Sequence, residues 1–125
     1  MDQNNIIEKI IIIDFGSQFT QLIARKIRKL GAYSKIINFK QIRDFTKNKS
    51  IKGIILSGGP LTVTNKCTVK LDNFILGLKV PILGICYGHQ ILAKKFGGTV
   101  KISKNREFGR VLVKSEFKSP ITKNF

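Results

Sequence analysis

The segment Gly84-Ile85-Cys86-Tyr87-Gly88 sets a thiol between two glycines, after the apolar run Val80 to Ile85 and before a stretch of helical periodicity. This is the pattern of a nucleophile elbow, where a strand turns into a helix so sharply that the residue at the turn is strained and exposed and its neighbours must be small. Cys86 is the candidate nucleophile. The helix behind it aims unpaired N–H groups and a partial positive charge at the sulfur, which favours thiolate over thiol. A thiolate beside backbone donors suits acyl transfer: the sulfur attacks a carbonyl carbon, a thioester forms, and N–H groups hold the oxyanion. The N–H of Tyr87 is one natural donor, and the turn Ser57-Gly58-Gly59-Pro60 is a candidate source of a second. Each feature also has a plainer reading, since free cysteines are commonly small core residues and a Gly-Gly-Pro turn is commonly only a turn. Asp14, at the end of another apolar run, is expected to cap the loop that follows it. His89, the only histidine, lies three residues beyond Cys86 on the same helix, where a side chain points sideways rather than back at the sulfur. It is expected to be structural.

The elements that must position these residues can be read along the chain. Ile10 to Ile13 is a β-branched run suited to a strand buried on both faces, ending in Asp14-Phe15-Gly16. Ser17 has the character of an N-cap for a helix carrying Phe19, Leu22, Ile23, Ile27 and Leu30, basic in its last turns and stopped by Gly31. Ser34 to Phe39 is expected as the second strand, Gln41 to Lys49 as a polar connection holding a short helical turn, and Gly53 to Leu56 as the third strand. Thr68 to Leu78 follows as a short helix, Val80 to Ile85 as the elbow strand and Tyr87 to Phe96 as the elbow helix. Val100 to Ser103 and Gly109 to Val113 are expected as two further short strands, and Ser115 to Phe125 shows no clear element. Strands alternating with helices predict an α/β fold, an open and mostly parallel sheet with flanking helices, whose ligands sit outside the carboxyl ends of the strands. The turns at Asp14, Ser57 and Cys86 each follow a strand directly, so they converge on one site in such a sheet. That convergence favours the nucleophile over the plain core cysteine.

The chain of 125 residues is one domain at most, and short for a complete enzyme of this architecture. Its formal charge of +16, from 23 Lys and Arg against 7 Asp and Glu, suggests an anionic partner. The basic residues are spread along the chain and are mostly Lys, without a nucleic-acid motif. Together with the excess of Ile and Asn this points to compositional drift on a solvated surface, and no specific nucleic-acid binding is expected. The cysteines, Cys67 and Cys86, offer neither a disulfide framework nor metal-ligand spacing. With no leader-like start and no apolar run long enough to span a bilayer, a cytoplasmic protein without a membrane partner is expected.

Gly84-Ile85-Cys86-Tyr87-Gly88-His89-Gln90 together with Ser57-Gly58-Gly59-Pro60 resembles the class I glutamine amidotransferases. Ile13-Asp14-Phe15-Gly16-Ser17-Gln18-Phe19-Thr20-Gln21-Leu22-Ile23-Ala24-Arg25 and Arg106-Glu107-Phe108-Gly109 narrow the likeness to the GMP synthase family, over Ile10 to Val113. The resemblance implies a flavodoxin-like sheet and a Cys86 glutamyl thioester that releases ammonia from glutamine. It assigns the Gly59 and Tyr87 N–H groups to the oxyanion hole and Gly58, Gly88 and Gln90 to substrate binding. The ammonia would pass to an ATP- and Mg2+-dependent synthetase domain or subunit that converts xanthosine monophosphate to GMP, while this chain itself would need no cofactor or metal. The family completes its triad with a His and a Glu in a His-Pro-Glu context, which does not occur before Phe125. Residues 1–125 are therefore expected to be a partial amidotransferase domain, incomplete at the C-terminus, without the synthetase domain and inactive alone. The alternative is a noncatalytic module that keeps the sheet and binds glutamine or a partner chain.

Overall fold

Lys9–Asp14 forms strand β1, and its three central isoleucines, Ile11, Ile12 and Ile13, are completely buried. A strand apolar on both faces is stable only between neighbours, and β1 has one on each side. It pairs in parallel with β2 (Tyr33–Asn38) and with β3 (Ile51–Leu56), and β3 pairs in parallel with β4 (Ile82–Gly84). The sheet order is β2-β1-β3-β4, that of the first strands in a flavodoxin-like doubly wound sheet. The computed structural model describes residues 7–45, 50–59, 70–104 and 109–123.

The two faces are covered by different helices. Helix α1 (Thr20–Lys29) lies on the face that Ile12 shares with Ser34, whose hydroxyl donates to the Ala24 carbonyl at 3.1 Å. On the other face, α2 (Ile42–Phe45), α3 (Asn73–Gly77) and α4 (Tyr87–Lys95) enclose the main core, in which Ile42, Ile75, Tyr87 and Ile91 pack with Ile11, Ile13, Ile54 and Leu56. Arg43 and Asp72 tie α2 to α3 at the surface, with the guanidinium Nε donating to the carboxylate at 3.0 Å and its plane over the Phe74 ring.

The expected helical turn between the second and third strands is present as a 3-10 turn, Phe39–Gln41, running into α2. Asn38 caps it, accepting from the Lys40 and Gln41 amides, while the Gln41 side chain accepts from the Asn38 amide. Other expectations need correction. Ser17 is not the N-cap of α1: its hydroxyl accepts from the Phe19 amide at 3.0 Å, and the helix begins at Thr20 behind Phe19, which makes no side-chain cap. Helix α3 begins at Asn73 rather than Thr68, because Asp72 takes the Phe74 amide and fixes the first turn; Thr68 itself lies outside the described residues. β4 is shorter than the expected Val80 to Ile85, consistent with ladder support from one side only among the described residues.

Most informative is the absence of the last two strands. Val100 to Ser103 and Gly109 to Val113 have a strand-like composition, yet the described residues among them join no ladder. A strand exists only against a partner, and here Ile102, Leu112 and Val113 lie open to solvent at 82%, 88% and 74% exposure.

Candidate active site

The chain turns at Cys86 with φ 52° and ψ −116°, a conformation that residues with a Cβ rarely adopt and that costs of order 1–3 kcal/mol. Two contacts hold it there. Ile85 donates its amide to the Leu56 carbonyl at 2.9 Å, pinning the incoming strand to β3, and Gln90 donates to the Cys86 carbonyl at 3.1 Å, closing the first turn of α4. The flanking glycines are required by space. A Cβ on Gly84 would stand 2.7 Å from the His89 amide nitrogen, and one on Gly88 would overlap the Leu56 carbonyl oxygen. The elbow therefore presses α4 against the end of β3 and leaves the Cys86 side chain exposed.

The loop after β3 runs directly alongside. A Cβ on Gly58 would lie 3.2 Å from Cys86 Cβ and 3.6 Å from Ser17 Oγ, so the absence of a side chain brings three loops together. Gly59 is packed so closely on Phe15 that a Cβ would overlap the Phe15 carbonyl oxygen. The Phe15 ring in turn stands edge-on to Tyr87, 5.4 Å between centroids. Beneath the loops lies a polar network. Asp14 Oδ1 accepts from the Gly16 amide at 2.8 Å, the Ser17 amide at 3.3 Å and the Thr20 hydroxyl at 3.0 Å, and the Thr20 and Ser57 hydroxyls meet at 2.9 Å. Thr20 and Ser57 are buried, so the network fixes the β1 and β3 loops to each other from below.

Above it opens a pocket of about 340 Å³ lined by Gly16, Ser17, Gln18, Phe19, Gly58, Gly59 and Cys86. The structure thus brings Cys86, Gly58 and Gly59 to one cavity. Tyr87 is buried at the first position of α4, its amide following directly on Cys86. Gly88 is buried against β3 and Gln90 half-buried on α4, and neither is among the pocket-lining residues. His89 is exposed on α4 and does not line the pocket either. Asp14 takes the capping part expected of it. Cys67 and Arg106-Glu107-Phe108 lie outside the described residues.

Sequence reasoning placed the Asp14-Phe15-Gly16 turn at the site but missed the wall that continues through Ser17, Gln18 and Phe19. The signal was available in the parallel order, which puts that loop at the same sheet edge as Cys86. Among the described residues, the lining side chains beside Cys86 carry no formal charge, so this wall offers hydrogen bonds and apolar contact rather than charge. Among the described residues, no group of three His, Cys, Asp or Glu gathers that could hold a metal ion, and no helix is long and apolar enough to cross a membrane.

A doubly wound parallel sheet whose fourth strand ends in a strained cysteine, with a glycine loop from its third strand at van der Waals range, defines an α/β protein of the cysteine-elbow class. Known proteins share more than this outline. The chain belongs to the class I glutamine amidotransferase family, whose pattern, Glutamine amidotransferase class-I, it matches over residues 11–123. It is 50% identical over 103 residues to the glutamine-hydrolyzing GMP synthase of Borreliella burgdorferi, covering 82% of this chain and 20% of that protein. Against the same enzyme of Brachyspira hyodysenteriae it is 47% identical over 123 residues, 98% of this chain and 24% of the relative. The chain thus spans between a fifth and a quarter of these two relatives. A crystal structure from Thermoplasma acidophilum, described as that of a GMP synthase subunit, superposes with a TM-score of 0.65 at 34% identity, over 82% of this chain and 52% of that one.

Proposed function

We propose that the pocket binds glutamine and that Cys86 serves as the nucleophile of the amidotransferase half-reaction of GMP synthesis. The observation that carries this reading is the strained Cys86 backbone, which presents the thiol to a pocket shared with Gly58 and Gly59. Sγ attacks the side-chain carboxamide carbon of glutamine, the Gly59 and Tyr87 N–H groups receive the developing oxyanion, and the C–N bond breaks to release ammonia once the nitrogen is protonated. Water then cleaves the thioester to glutamate and the free thiol. Gly58 keeps the floor clear, while Gly88 lets α4 close on β3 behind the pocket. No cofactor is needed for these steps. The ammonia serves an ATP- and Mg2+-dependent synthetase domain or subunit that aminates xanthosine monophosphate, in keeping with the GMP synthases to which the chain is similar.

Among the described residues, the pocket lining beside Cys86 includes no carboxylate, imidazole or amine, and general acid–base help is worth about 10²–10⁴-fold. The chain by itself should therefore present a reactive thiol to the pocket without sustaining glutamine turnover. The test is to treat it with 6-diazo-5-oxonorleucine, an electrophile of glutamine's shape, and with iodoacetamide. Glutamine-protectable labelling of Cys86 by the first reagent supports the reading. Labelling of Cys86 by iodoacetamide alone refutes it and leaves a noncatalytic module. Cys86-dependent ammonia release from the unaided chain would overturn the need for an outside base.

A further inference from the structure

An oxyanion is held only when its donors converge on one point, yet the Gly59 amide hangs from the end of β3 and the Tyr87 amide opens α4. Each loop fixes its own donor. A residue of a third loop stands against both. Phe15 follows β1 directly, and its backbone meets Gly59 so closely that a Cβ there would overlap the Phe15 carbonyl oxygen and stand 3.0 Å from the Phe15 Cβ. Its ring lies edge-on to Tyr87, with centroids 5.4 Å apart and planes at 80°, a geometry that aromatic pairs favour. Phe39, just past the end of β2, braces the same ring at 5.8 Å. Phe15 is itself held. Asp14 accepts from the Gly16 and Ser17 amides beyond it, and Ser57 donates to the Ile13 carbonyl before it at 3.0 Å. Tyr87 is 2% exposed, so neither ring of the pair can swing away without opening a void. Phe15 is not among the residues that line the pocket; it stands behind them.

We propose that Phe15 is a positioning residue for the oxyanion hole, the spacer that sets the Gly59 and Tyr87 N–H groups relative to each other without touching substrate. This inference rests on the reading of Cys86 as a nucleophile toward glutamine. Toward Gly59 the contact is made by backbone, which cannot yield. Toward Tyr87 it is made between two rigid rings. A smaller aliphatic side chain at position 15 keeps the first contact and removes the second, so the β3 loop stays in place while the start of α4 gains room. The elbow survives such a change, because the bonds that hold Cys86 run from Ile85 to Leu56 and from Gln90 to Cys86 and do not involve Phe15. A loss at Phe15 therefore falls on the charge that develops on the substrate oxygen and spares the nucleophilicity of the sulfur.

The experiment treats the full 125-residue chain with the p-nitrophenyl γ-ester of glutamate. Sγ attacks the ester carbonyl, the S–C bond forms, the C–O bond breaks, and p-nitrophenolate leaves without needing a proton. A single burst of colour then reports acylation through an oxyanion, and both its saturating rate and its half-saturating concentration are measured. Iodoacetamide is run in parallel, since displacement of iodide at its methylene carbon forms no oxyanion. In Phe15→Leu the saturating burst rate should fall by about tenfold to a hundredfold, part of the roughly 10²–10³-fold that loss of a whole donor costs, while half-saturation and alkylation stay within about twofold. Ile37→Val, a core change on the far edge strand at a residue 2% exposed, should leave all three within about twofold, as expected of a distant site. An unchanged burst in Phe15→Leu, a change confined to half-saturation, a parallel fall in alkylation, or an equal slowing in Ile37→Val would each overturn the proposal alone. A wild-type burst no larger than that of Cys86→Ala would refute the glutamine reading and this proposal with it.

Discussion

Replacing Cys86 by glycine should stabilise the fold relative to Cys86→Ala, reversing the usual order of these residues. At an ordinary position, glycine is less favourable than alanine by about 0.5–1 kcal/mol, because the unfolded chain gains freedom. At φ 52° and ψ −116°, any residue with a Cβ carries a strain of about 1–3 kcal/mol that glycine does not. Alanine removes the sulfur and keeps the Cβ, so comparing the two variants isolates the backbone. Subtracting the two leaves glycine ahead by up to about 2.5 kcal/mol, and by about 1 kcal/mol at mid-range. With a urea dependence of about 1–2 kcal/mol per molar, the unfolding midpoint of Cys86→Gly should lie roughly 0.5–1 M above that of Cys86→Ala. Both are measured by circular dichroism and Tyr fluorescence, whose coincidence checks that one transition is being followed. A glycine variant at or below the alanine variant would mean that the elbow is relaxed at Cys86, and the argument for a thiol held up by backbone strain would fail.

Gly88→Ala drives a methyl into the Leu56 carbonyl and to within 2.6 Å of Leu56 Cβ; both belong to a strand that cannot yield, so a loss of about 3 kcal/mol is expected in the same assay. In the buried pair at 2.9 Å, Thr20 gives its proton to Asp14 and accepts from Ser57. Thr20→Val strands the Ser57 hydroxyl and should cost about 1–3 kcal/mol, against about 0.5–1.5 for Ser57→Ala, which leaves Thr20 bonded. Asp72 has its carboxyl held below the ordinary 3.8 by the Phe74 amide and then by Arg43. Its folded value is the lower one, so its contribution is present above about pH 4 and is lost as pH falls through the folded value. Asp72→Asn keeps the cap but not the charge, and its unfolding midpoint should fall below wild type at pH 6 and merge with it in acid. A gap that persisted in acid would assign the effect to the cap.

Where sequence and structure agree, the deciding interaction is local or repeated. Ile10 to Ile13 can only be a buried strand, and the glycines around Cys86 declare a turn that the backbone then shows. Where they part, the deciding partner is remote. Thr20 opens α1 in place of a Ser17 cap because its hydroxyl is held by Asp14 and Ser57, and residue 57 is invisible to any reading of the helix itself. Ser17 and Gln18 reach the pocket across a separation of about seventy residues from Cys86, which follows only from the strand order. Val111 and Val113 have the composition of a strand, but composition does not supply a ladder partner.

The length of β4 has a consequence for the thiol. Three residues with, among the described residues, a ladder on one side make a unit that opens at a smaller free energy than β1, which is laddered on both sides. The elbow opens with it, since Ile85 hangs from the same strand pair. Cys86 therefore spends a fraction of its time outside its reactive geometry, and that fraction is an equilibrium constant rather than a fixed property of the residue. Anything that binds only the closed form raises the closed population by mass action. Filling the pocket should therefore slow amide exchange across Ile82 to Gly84, residues that are not among those lining it.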